Sequence, residues 1–243
     1  MFENKRILAV VPARGGSKRL PGKNTMELDG RPLLAYSVLV AKASKYIDEV
    51  CVTSDSMEIL EVAKGYGARL IVRPPEMASD ISRTIDTVAH AHKIMEMADR
   101  VMYDLVVVLQ PNVPLRLPED IDYALAKMNT IGADTILTAD MIYPKLGYID
   151  EDMIWYKPLY EPGARKQDIH PRLRENGVLY ILSRDNVRLH RLFGDKTWAV
   201  YCKIEQSVCN IDFQADFDMA KAIYLSPDFP YKVFFDKVDP QCN

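Results

Sequence analysis

The first 140 residues of this chain alternate short apolar runs with segments of helical periodicity, and few folds accommodate such a pattern. Continuous apolar runs such as Arg6–Pro12 and Asp104–Leu109 are expected of strands that are buried on both faces of a sheet. Further strands are predicted at Glu49–Ser54, Ala68–Val72 and Asp134–Ala139, and helices at Pro32–Ser44, Ser56–Lys64, Thr84–Ala98 and Pro118–Met128. This βαβα order predicts an α/β fold whose parallel-rich sheet is covered by helices on both faces.

The pattern changes after about residue 140. The segment 141–175 is rich in tyrosine, proline and charged residues, and we interpret it as an excursion of short strands or loops that serves as an oligomer arm. Strands are then predicted at Gly177–Leu182 and Trp198–Lys203, followed by a helix at Asp216–Leu225. With 243 residues and no internal repeat, the chain is expected to form one domain, 1–243, that includes the excursion.

The composition argues against several classes of protein. A net charge of -3 disfavours broad nucleic-acid binding, which needs a basic surface stripe. No run reaches the roughly 18 apolar residues of a membrane span, and the charged segment 1–6 leads into a strand without the apolar region of a signal peptide. The four cysteines, which form no CxxC pair, are Cys51, Cys202, Cys209 and Cys242. We therefore expect a reduced, cytoplasmic protein without membrane or nucleic-acid partners.

A loop rich in glycine and basic residues, Pro12–Asn24, directly follows the first predicted strand. Gly15 and Gly16 allow close approach of a ligand and positive φ, so that successive N–H groups can form a nest for an anion. Its cations are Arg14, Lys18, Arg19 and Lys23. Because α/β sheets bind ligands at the carboxyl ends of their strands, we favour a triphosphate site over an ordinary basic surface loop. The glycine spacing differs from that of a P-loop, which argues against a P-loop kinase.

This loop resembles the N-terminal signature of the CMP-sialic acid synthetases, also called acylneuraminate cytidylyltransferases. Further blocks resemble that family in its own order: Asp29–Leu33, Val52–Asp55, Arg73–Asp80, Leu109–Arg116, Arg174–Tyr180 and Asn210–Asp216. One block alone would be unspecific, but the ordered series spans most of the chain. The resemblance implies a Rossmann-like nucleotidyltransferase fold with a mostly parallel mixed sheet, a small dimerisation arm and a homodimeric assembly.

The resemblance also implies a site for CTP. The residues that would bind the nucleotide are Arg14, Gly15, Gly16, Ser17, Lys23, Asn24, Arg73 and Asp80. Arg14 and Lys23 would act as catalytic residues, since fixed cations stabilise the charge that develops at the α-phosphate. Arg73 would contact the cytosine or the ribose, unless it is an ordinary surface arginine before two prolines. Asp80 has the alternative role of capping the segment before the next helix.

The second substrate implied by the resemblance is an acidic sugar. The residues that would bind it are Gln110, Asn112, Lys145, Arg165, Gln167, Arg174, Asn176 and Tyr180. Asn112 and Val113 stand where the family has Thr and Ser, so two hydroxyl groups expected near the sugar are missing. Arg165 and Gln167 would reach the sugar from a dimer arm, and their alternative is a solvated charged segment. Asn176 would bind a ligand, although Asn-Gly before a strand is also an ordinary turn signal.

A magnesium site is implied at Asp212 and Asn210. The family has two aspartates one residue apart, and here the first is Asn210, whose amide oxygen can ligate a cation without adding charge. We expect Asp212 to hold Mg²⁺ and to be the third catalytic residue. Asp216 is expected to lie at the N-terminus of the following helix, where the helix dipole favours a carboxylate.

These features predict that CMP is transferred from CTP to the anomeric hydroxyl of a nine-carbon 2-keto-3-deoxy sugar acid of the sialic, legionaminic or pseudaminic type, with release of pyrophosphate. No catalytic triad or other nucleophile is evident in the sequence, which suits direct transfer. Two alternatives stay open. The piece Arg19–Lys23 also resembles the synthetases that activate the eight-carbon acid Kdo, and Asn112 and Asn210 are compatible with a catalytically silent nucleotide-binding module.

Overall fold

The computed structural model describes residues 2–79, 81–149, 155–202, 204–226 and 229–239. Its strands are β1 (Ile7–Pro12), β2 (Glu27–Leu28), β3 (Arg31–Pro32), β4 (Glu49–Ser54), β5 (Arg69–Val72), β6 (Leu105–Val108), β7 (Thr135–Ile142), β8 (Gly147–Ile149), β9 (Tyr156–Pro158), β10 (Arg172–Ser183) and β11 (Thr197–Tyr201). Its α-helices are α1 (Leu33–Ala43), α2 (Met57–Gly65), α3 (Thr84–Asp99), α4 (Pro118–Ile131), α5 (Arg184–Arg188), α6 (Ile204–Val208), α7 (Gln214–Tyr224) and α8 (Pro230–Val238). Within these residues no helix has the length and apolar content that a membrane crossing requires.

Seven strands of the described residues form one sheet in the order β11-β7-β10-β6-β1-β4-β5. Strand β1 pairs in parallel with both β4 and β6, and β5 extends this parallel part. Strand β10 runs antiparallel to its neighbours β6 and β7, and β11 returns to the parallel direction beside β7. The predicted mostly parallel mixed sheet is confirmed, with β10 as its one antiparallel member among the described strands.

Alternate residues of β1 face two different hydrophobic cores. Ile7, Ala9 and Val11 pack in the core that contains buried residues of α1, α2, α4, α7 and α8. Leu8 and Val10 pack in the second core, with buried residues of α3 and α5. Because successive side chains of a strand point to opposite faces of the sheet, helices cover both faces, as predicted.

Two elements differ from the sequence prediction. The strand predicted at Gly177–Leu182 begins at Arg172, and its pairing with β7 shifts register between Glu175 and Tyr180. A C-terminal helix, α8, was not predicted. In the segment 141–175, β8 and β9 form a two-stranded antiparallel sheet, with residues 150–154 outside the described part of the chain.

Candidate active site

A cavity of about 420 Å³ lies at the carboxyl ends of β1 and β6. The chain places β4 and β5 on one side of β1 and then crosses to β6 on the other side. The loops that leave β1 and β6 therefore diverge and open a crevice between them. Open α/β sheets bind ligands at this point of reversal. Pro12, at the end of β1, and Gln110, just beyond β6, both line the cavity.

The cavity wall is strongly cationic. Five of its side chains carry positive charge and one is a carboxylate: Arg14, Lys18, Arg19, Lys23 and Arg73 against Asp212. Hydroxyl and amide side chains complete the lining. The predicted site residues that line it are Arg14, Ser17, Lys23, Asn24, Arg73, Gln110, Asn112, Asn210 and Asp212. Such a wall favours a ligand of several negative charges.

The loop Pro12–Asn24 is held by its own polar side chains. Asn24 is buried and its Nδ2 donates to the carbonyl of Arg14 at 2.8 Å. Lys23 follows Gly22, whose φ of 67° turns the chain, and its Nζ donates to the carbonyl of Ile211 at 2.8 Å. The same Nζ lies 3.0 Å from Oδ1 of Asp212. Lys23 and Asn24 therefore join the loop to the opposite side of the cavity.

The positive φ predicted at Gly15 and Gly16 is wrong, since neither residue is among those with positive φ. Gly15 is instead in a crowded position, because an added Cβ would lie 3.0 Å from Cβ of Ser56, closer than most Cβ contacts. Its N–H donates to Oδ1 of Asp55 at 3.0 Å, so this donor of the predicted anion nest is engaged by a carboxylate. A Cβ on Gly16 would meet no atom within 4 Å.

Arg73 lines the cavity from a largely buried position. The side chain is only 5% exposed, and its Nη2 donates to the carbonyl of Thr53 at 2.8 Å. Its Nε is buried and has no hydrogen-bond partner among the described residues. Burial lowers the pKa of Arg73. A buried donor without a partner is rare in proteins, so this nitrogen is suited to a ligand acceptor.

The Asn210–Asp212 segment forms the far wall. Oδ1 and Oδ2 of Asp212 lie 3.0 Å from Lys23 and 3.1 Å from Arg19. Asn112 donates through Nδ2 to Oδ1 of Asn210 at 2.6 Å, and the N–H of Ile211 donates to the carbonyl of Asn112 at 2.8 Å. As predicted, Asp216 is in the first turn of α7; there its Oδ2 accepts from the N–H groups of two preceding residues.

The donor set of this wall fits a hard divalent cation only in part. Asp212 offers one carboxylate and Asn210 one amide oxygen, and such oxygens are what Mg²⁺ prefers. In the part of the chain that the structure describes, no group of three His, Cys, Asp or Glu side chains could hold a metal. A cation here would thus take most of its ligands from substrate phosphates and water, as Mg²⁺ usually does.

Three predicted sugar-binding residues lie on β10 outside the cavity lining. Asn176 is buried; its Nδ2 donates to Asp140 at 2.9 Å, and its Oδ1 accepts from the Thr138 hydroxyl at 2.7 Å. Arg174 forms an ion pair of 2.9 Å with the same Asp140. Tyr180 is buried and its hydroxyl donates to a neighbouring glutamate on β10; burial raises its pKa. Their assignment to the sugar remains a prediction.

The remaining predicted residues lie in the arm or outside the described residues. Lys145 lies 5.8 Å above the ring of Tyr160, and Arg165 pairs with Asp168 at 2.7 Å. Gln167 is an exposed residue of the 3₁₀ segment Lys166–Asp168. Asp80 falls outside the described residues.

Sequence reasoning missed one wall of the cavity. This wall carries four hydroxyl groups, those of Ser79, Ser82, Thr84 and Thr87. They come from the segment that leads into α3 and from its first turn. The dense run of serine and threonine after Arg73 was the available signal, because hydroxyl groups beside a cationic loop suit a phosphate or sugar ligand.

The sequence model for cytidylyltransferases matches residues 8–151. The chain belongs to the cytidylyltransferase family. The matched region contains the loop Pro12–Asn24, Arg73 and Gln110, and all the lining residues of the cavity except Asn210 and Asp212 lie within it. Among curated relatives, this cytidylyltransferase is 35% identical over 193 residues to CMP-N,N'-diacetyllegionaminic acid synthase of Legionella pneumophila, covering 77% of this chain and 82% of that protein. It is 30% identical over 223 residues to a pseudaminic acid cytidylyltransferase of Campylobacter jejuni, covering 89% and 95% of the two chains.

Solved structures share the fold of this cytidylyltransferase. A CMP:2-keto-3-deoxy-manno-octonic acid synthetase complexed with CTP has a TM-score of 0.65 at 17% identity, covering 90% of this chain and 98% of that chain. The 4-diphosphocytidyl-2C-methyl-D-erythritol synthase of Anaerococcus prevotii has a TM-score of 0.64 at 15% identity, covering 90% and 96%. At such identities the likeness concerns the fold, and it confirms the predicted nucleotidyltransferase architecture.

Proposed function

We propose that this cytidylyltransferase transfers CMP from CTP to the anomeric hydroxyl of a nine-carbon 2-keto-3-deoxy sugar acid of the sialic, legionaminic or pseudaminic type. Pyrophosphate is the second product. The observation that carries the proposal is the cavity at the end of β1 and β6, where five cationic side chains surround one carboxylate. The relatives named for legionaminic and pseudaminic acid support the class of sugar.

The loop residues act on the triphosphate. Lys23 exchanges its partner Asp212 for a phosphate oxygen when the nucleotide enters, because a phosphate carries more charge than one carboxylate. Arg14 and Lys23 then offset the charge that develops at the α-phosphate as the anomeric oxygen bonds to phosphorus and the bond to pyrophosphate breaks. The hydroxyl proton leaves to solvent. Arg73, through its unpartnered Nε, holds the cytosine or the ribose.

The cation that accompanies the nucleotide is proposed to be Mg²⁺. Asp212 and the amide oxygen of Asn210 would hold it, and it would supply further neutralisation of phosphate charge. Once Lys23 and Arg19 turn to phosphate, the carboxylate of Asp212 becomes available. The transfer of Lys23 and Arg19 from Asp212 to phosphate would therefore favour binding of the cation by Asp212.

The sugar acid is proposed to bind on the β6 side of the cavity. Gln110 and Asn112 line that side and offer amide groups to sugar hydroxyls. Lys145, Arg165 and Gln167 are proposed to approach the sugar carboxylate from the arm of a second copy, in a homodimer. Exposed apolar side chains on the arm support this assembly, namely Leu146, Tyr148, Ile149, Tyr156 and Leu159. The free thiols of Cys51, Cys202 and Cys209 support a cytoplasmic location.

The test is pyrophosphate release from CTP and Mg²⁺ with a panel of acids: N-acetylneuraminic, legionaminic, pseudaminic, KDN and Kdo. The Lys23→Met variant should lose about 100-fold or more in kcat, since one preorganised donor to a developing charge contributes that much. Lys64→Met, on the exposed surface of α2, is the matched control and should keep full turnover. Turnover with Kdo alone would mean that the substrate is an eight-carbon acid instead of a nine-carbon acid. Tight CTP binding without turnover on any acid would contradict it.

A further inference from the structure

Arg116 is a buried cation without a buried counter-charge. Its side chain is 1% exposed, and its three donor groups all bond to neutral acceptors. Nη1 donates to the hydroxyl of Ser37 at 2.8 Å, Nε donates to the carbonyl of Val178, and Nη2 donates to the carbonyl of Gln110. No carboxylate among the described residues accepts a hydrogen bond from it. Burial lowers the pKa of Arg116 to about 9, and the negative charge of Asp120 opposes this shift.

Packing does not explain why a guanidinium stands at this position. An unpaired charge in an apolar interior is unfavourable, and apolar residues of similar volume commonly replace buried charges at no loss of stability. Another largely buried arginine, Arg31, differs in this respect. It pairs with Asp236 at 2.8 Å and also with Asp239. Arg116 therefore has a role that a buried apolar side chain could not fill.

The carbonyls that Arg116 holds belong to two neighbouring segments. Gln110 lines the cavity just beyond β6. Val178 follows Gly177, which has a φ of 73° in the part of β10 where the register shifts. The side chain of Gln110 also approaches this part, since its Oε1 lies 3.5 Å from an ideal Cβ on Gly177. Arg116 thus fastens the β6 wall of the cavity to the irregular part of β10.

Among the described residues, the nucleotide loop has no hydrogen bond to Arg116. Asn24 and Lys23 tie the loop to Arg14 and to the Ile211–Asp212 wall through bonds that do not involve Arg116. Loss of Arg116 would consequently disturb one side of the cavity and leave the other in place.

We propose that Arg116 is a positioning residue for the acidic sugar: it fixes Gln110 against β10, and its positive charge behind this wall favours the sugar carboxylate. The inference rests on the proposed function, because it assigns the sugar to the β6 side of the cavity. Arg116 acts through Gln110 and through its field, without contact with the reacting atoms.

Three variants test the proposal in the full chain: Arg116→Met, Arg116→Lys and, as a matched buried arginine, Arg31→Met. Arg116→Met should lower the unfolding temperature, because it leaves two buried carbonyls without their donor, but it should keep the Kd for CTP. It should raise the KM for the sugar acid about tenfold, which corresponds to the loss of one hydrogen bond that positions Gln110. Arg31→Met should lower the unfolding temperature without a selective rise in that KM, because it leaves two carboxylates without their partner. Equal losses for CTP and sugar in Arg116→Met, or no loss, would overturn the proposal.

The lysine variant separates charge from shape. A buried ammonium has a lowered pKa, so it is charged at the lower end of the pH range and loses its proton as pH rises. The KM of Arg116→Lys for the sugar acid should therefore lie near that of the wild type at low pH and rise towards that of Arg116→Met at higher pH. The pH range of the measurement stays below the pKa of Arg116, so that the wild-type guanidinium remains charged throughout. A constant ratio to the wild type across this range would exclude a role for the charge.

Hydrogen exchange provides a readout that needs no turnover. Arg116→Met should exchange faster in segments 110–112 and 176–178 and should leave 14–24 unchanged. Unchanged exchange in the first two segments would overturn the proposal even if the wild type turns over. If Arg116→Met exchanges faster in these segments but the wild type turns over no sugar acid, the failure lies in the proposed function instead.

Discussion

At the residue scale, the two adjacent glycines of the loop Pro12–Asn24 have different surroundings. Gly15 lies against α2, where an added Cβ would come within 3.0 Å of Cβ of Ser56. Gly16 faces open space, where an added Cβ would meet nothing within 4 Å. Neither has positive φ, so backbone strain does not enter the comparison. One glycine is thus required by the fold and the other is free to serve a ligand.

This difference predicts opposite effects of two alanine substitutions. Gly15→Ala should lower the free energy of unfolding by about 1 kcal/mol, because a tight contact must be relieved. Gly16→Ala should leave stability unchanged but weaken CTP binding, because the methyl group would enter the space that a phosphate needs. Chemical unfolding and a CTP titration of both variants provide the measurement. A stability loss confined to Gly16→Ala would contradict this account of the loop.

At the element scale, the buried parallel strands could be predicted because their residue types reflect burial on both faces of the sheet. Glu49–Ser54 was placed correctly, and Ile7–Pro12 to within one residue, since a strand covered by helices on both faces is rich in apolar residues. The loop after β1 could likewise be predicted as an anion site, because it places four cations near the carboxyl end of the first strand. The cavity brings together nine of the predicted site residues from both halves of the chain.

Other elements depend on contacts that no local pattern shows. The first residues of β10, Arg172–Glu175, are exposed, so their strand character comes from pairing with β7. Helix α8 packs Tyr231 and Phe235 into the first core and is also held by Arg31, which pairs with Asp236 in its last turn and with Asp239 just beyond it. Arg116 could not be assigned either, because its three acceptors are distant in sequence or are backbone carbonyls.

The Asn210–Asp212 wall leads to a prediction about metal binding. Two cations already pair with Asp212, and Asn210 adds no charge, so free Mn²⁺ should bind the protein weakly in the absence of CTP. Asn210→Asp should raise this affinity about tenfold by supplying a second carboxylate. Electron paramagnetic resonance of free Mn²⁺ measures both affinities without reference to turnover.

A matched charge change controls for the field of the whole protein. Gln214→Glu adds the same charge in the first turn of α7, outside the cavity lining, and should leave Mn²⁺ affinity unchanged. Equal gains in the two variants would mean that general electrostatics raises the affinity. Strong Mn²⁺ binding by the wild type without CTP would contradict the proposed exchange of partners at Asp212.

At the scale of the whole molecule, the arm exposes apolar side chains in the way that a subunit interface does. Tyr148, Ile149 and Tyr156 are each more than half exposed, and β8 pairs only with β9 among the described strands. A small sheet with an apolar outer surface gains stability when a second copy covers it. The three residues proposed to reach the sugar carboxylate, Lys145, Arg165 and Gln167, belong to the same arm.

The arm therefore predicts a dimer that sugar turnover requires. Ile149→Lys should yield a single-copy protein that binds CTP but has lost sugar turnover, because a lysine cannot be buried in an apolar interface. Val233→Lys, at an equally exposed apolar position on α8, should remain a dimer with normal turnover. Analytical ultracentrifugation reports the assembly. A wild type that sediments as one copy, with full turnover, would exclude this role for the arm.

The most direct measurement follows one oxygen atom through the reaction. The acid that gives turnover is labelled with ¹⁸O at its anomeric hydroxyl and incubated with CTP and Mg²⁺, and the product is examined by ³¹P nuclear magnetic resonance. Attack of that hydroxyl on the α-phosphorus predicts a CMP-sugar whose single phosphorus resonance shows the isotope shift of a bridging ¹⁸O. A CMP-sugar without the label at phosphorus, or CTP that stays intact beside every acid of the panel, would contradict cytidylyl transfer in this cavity.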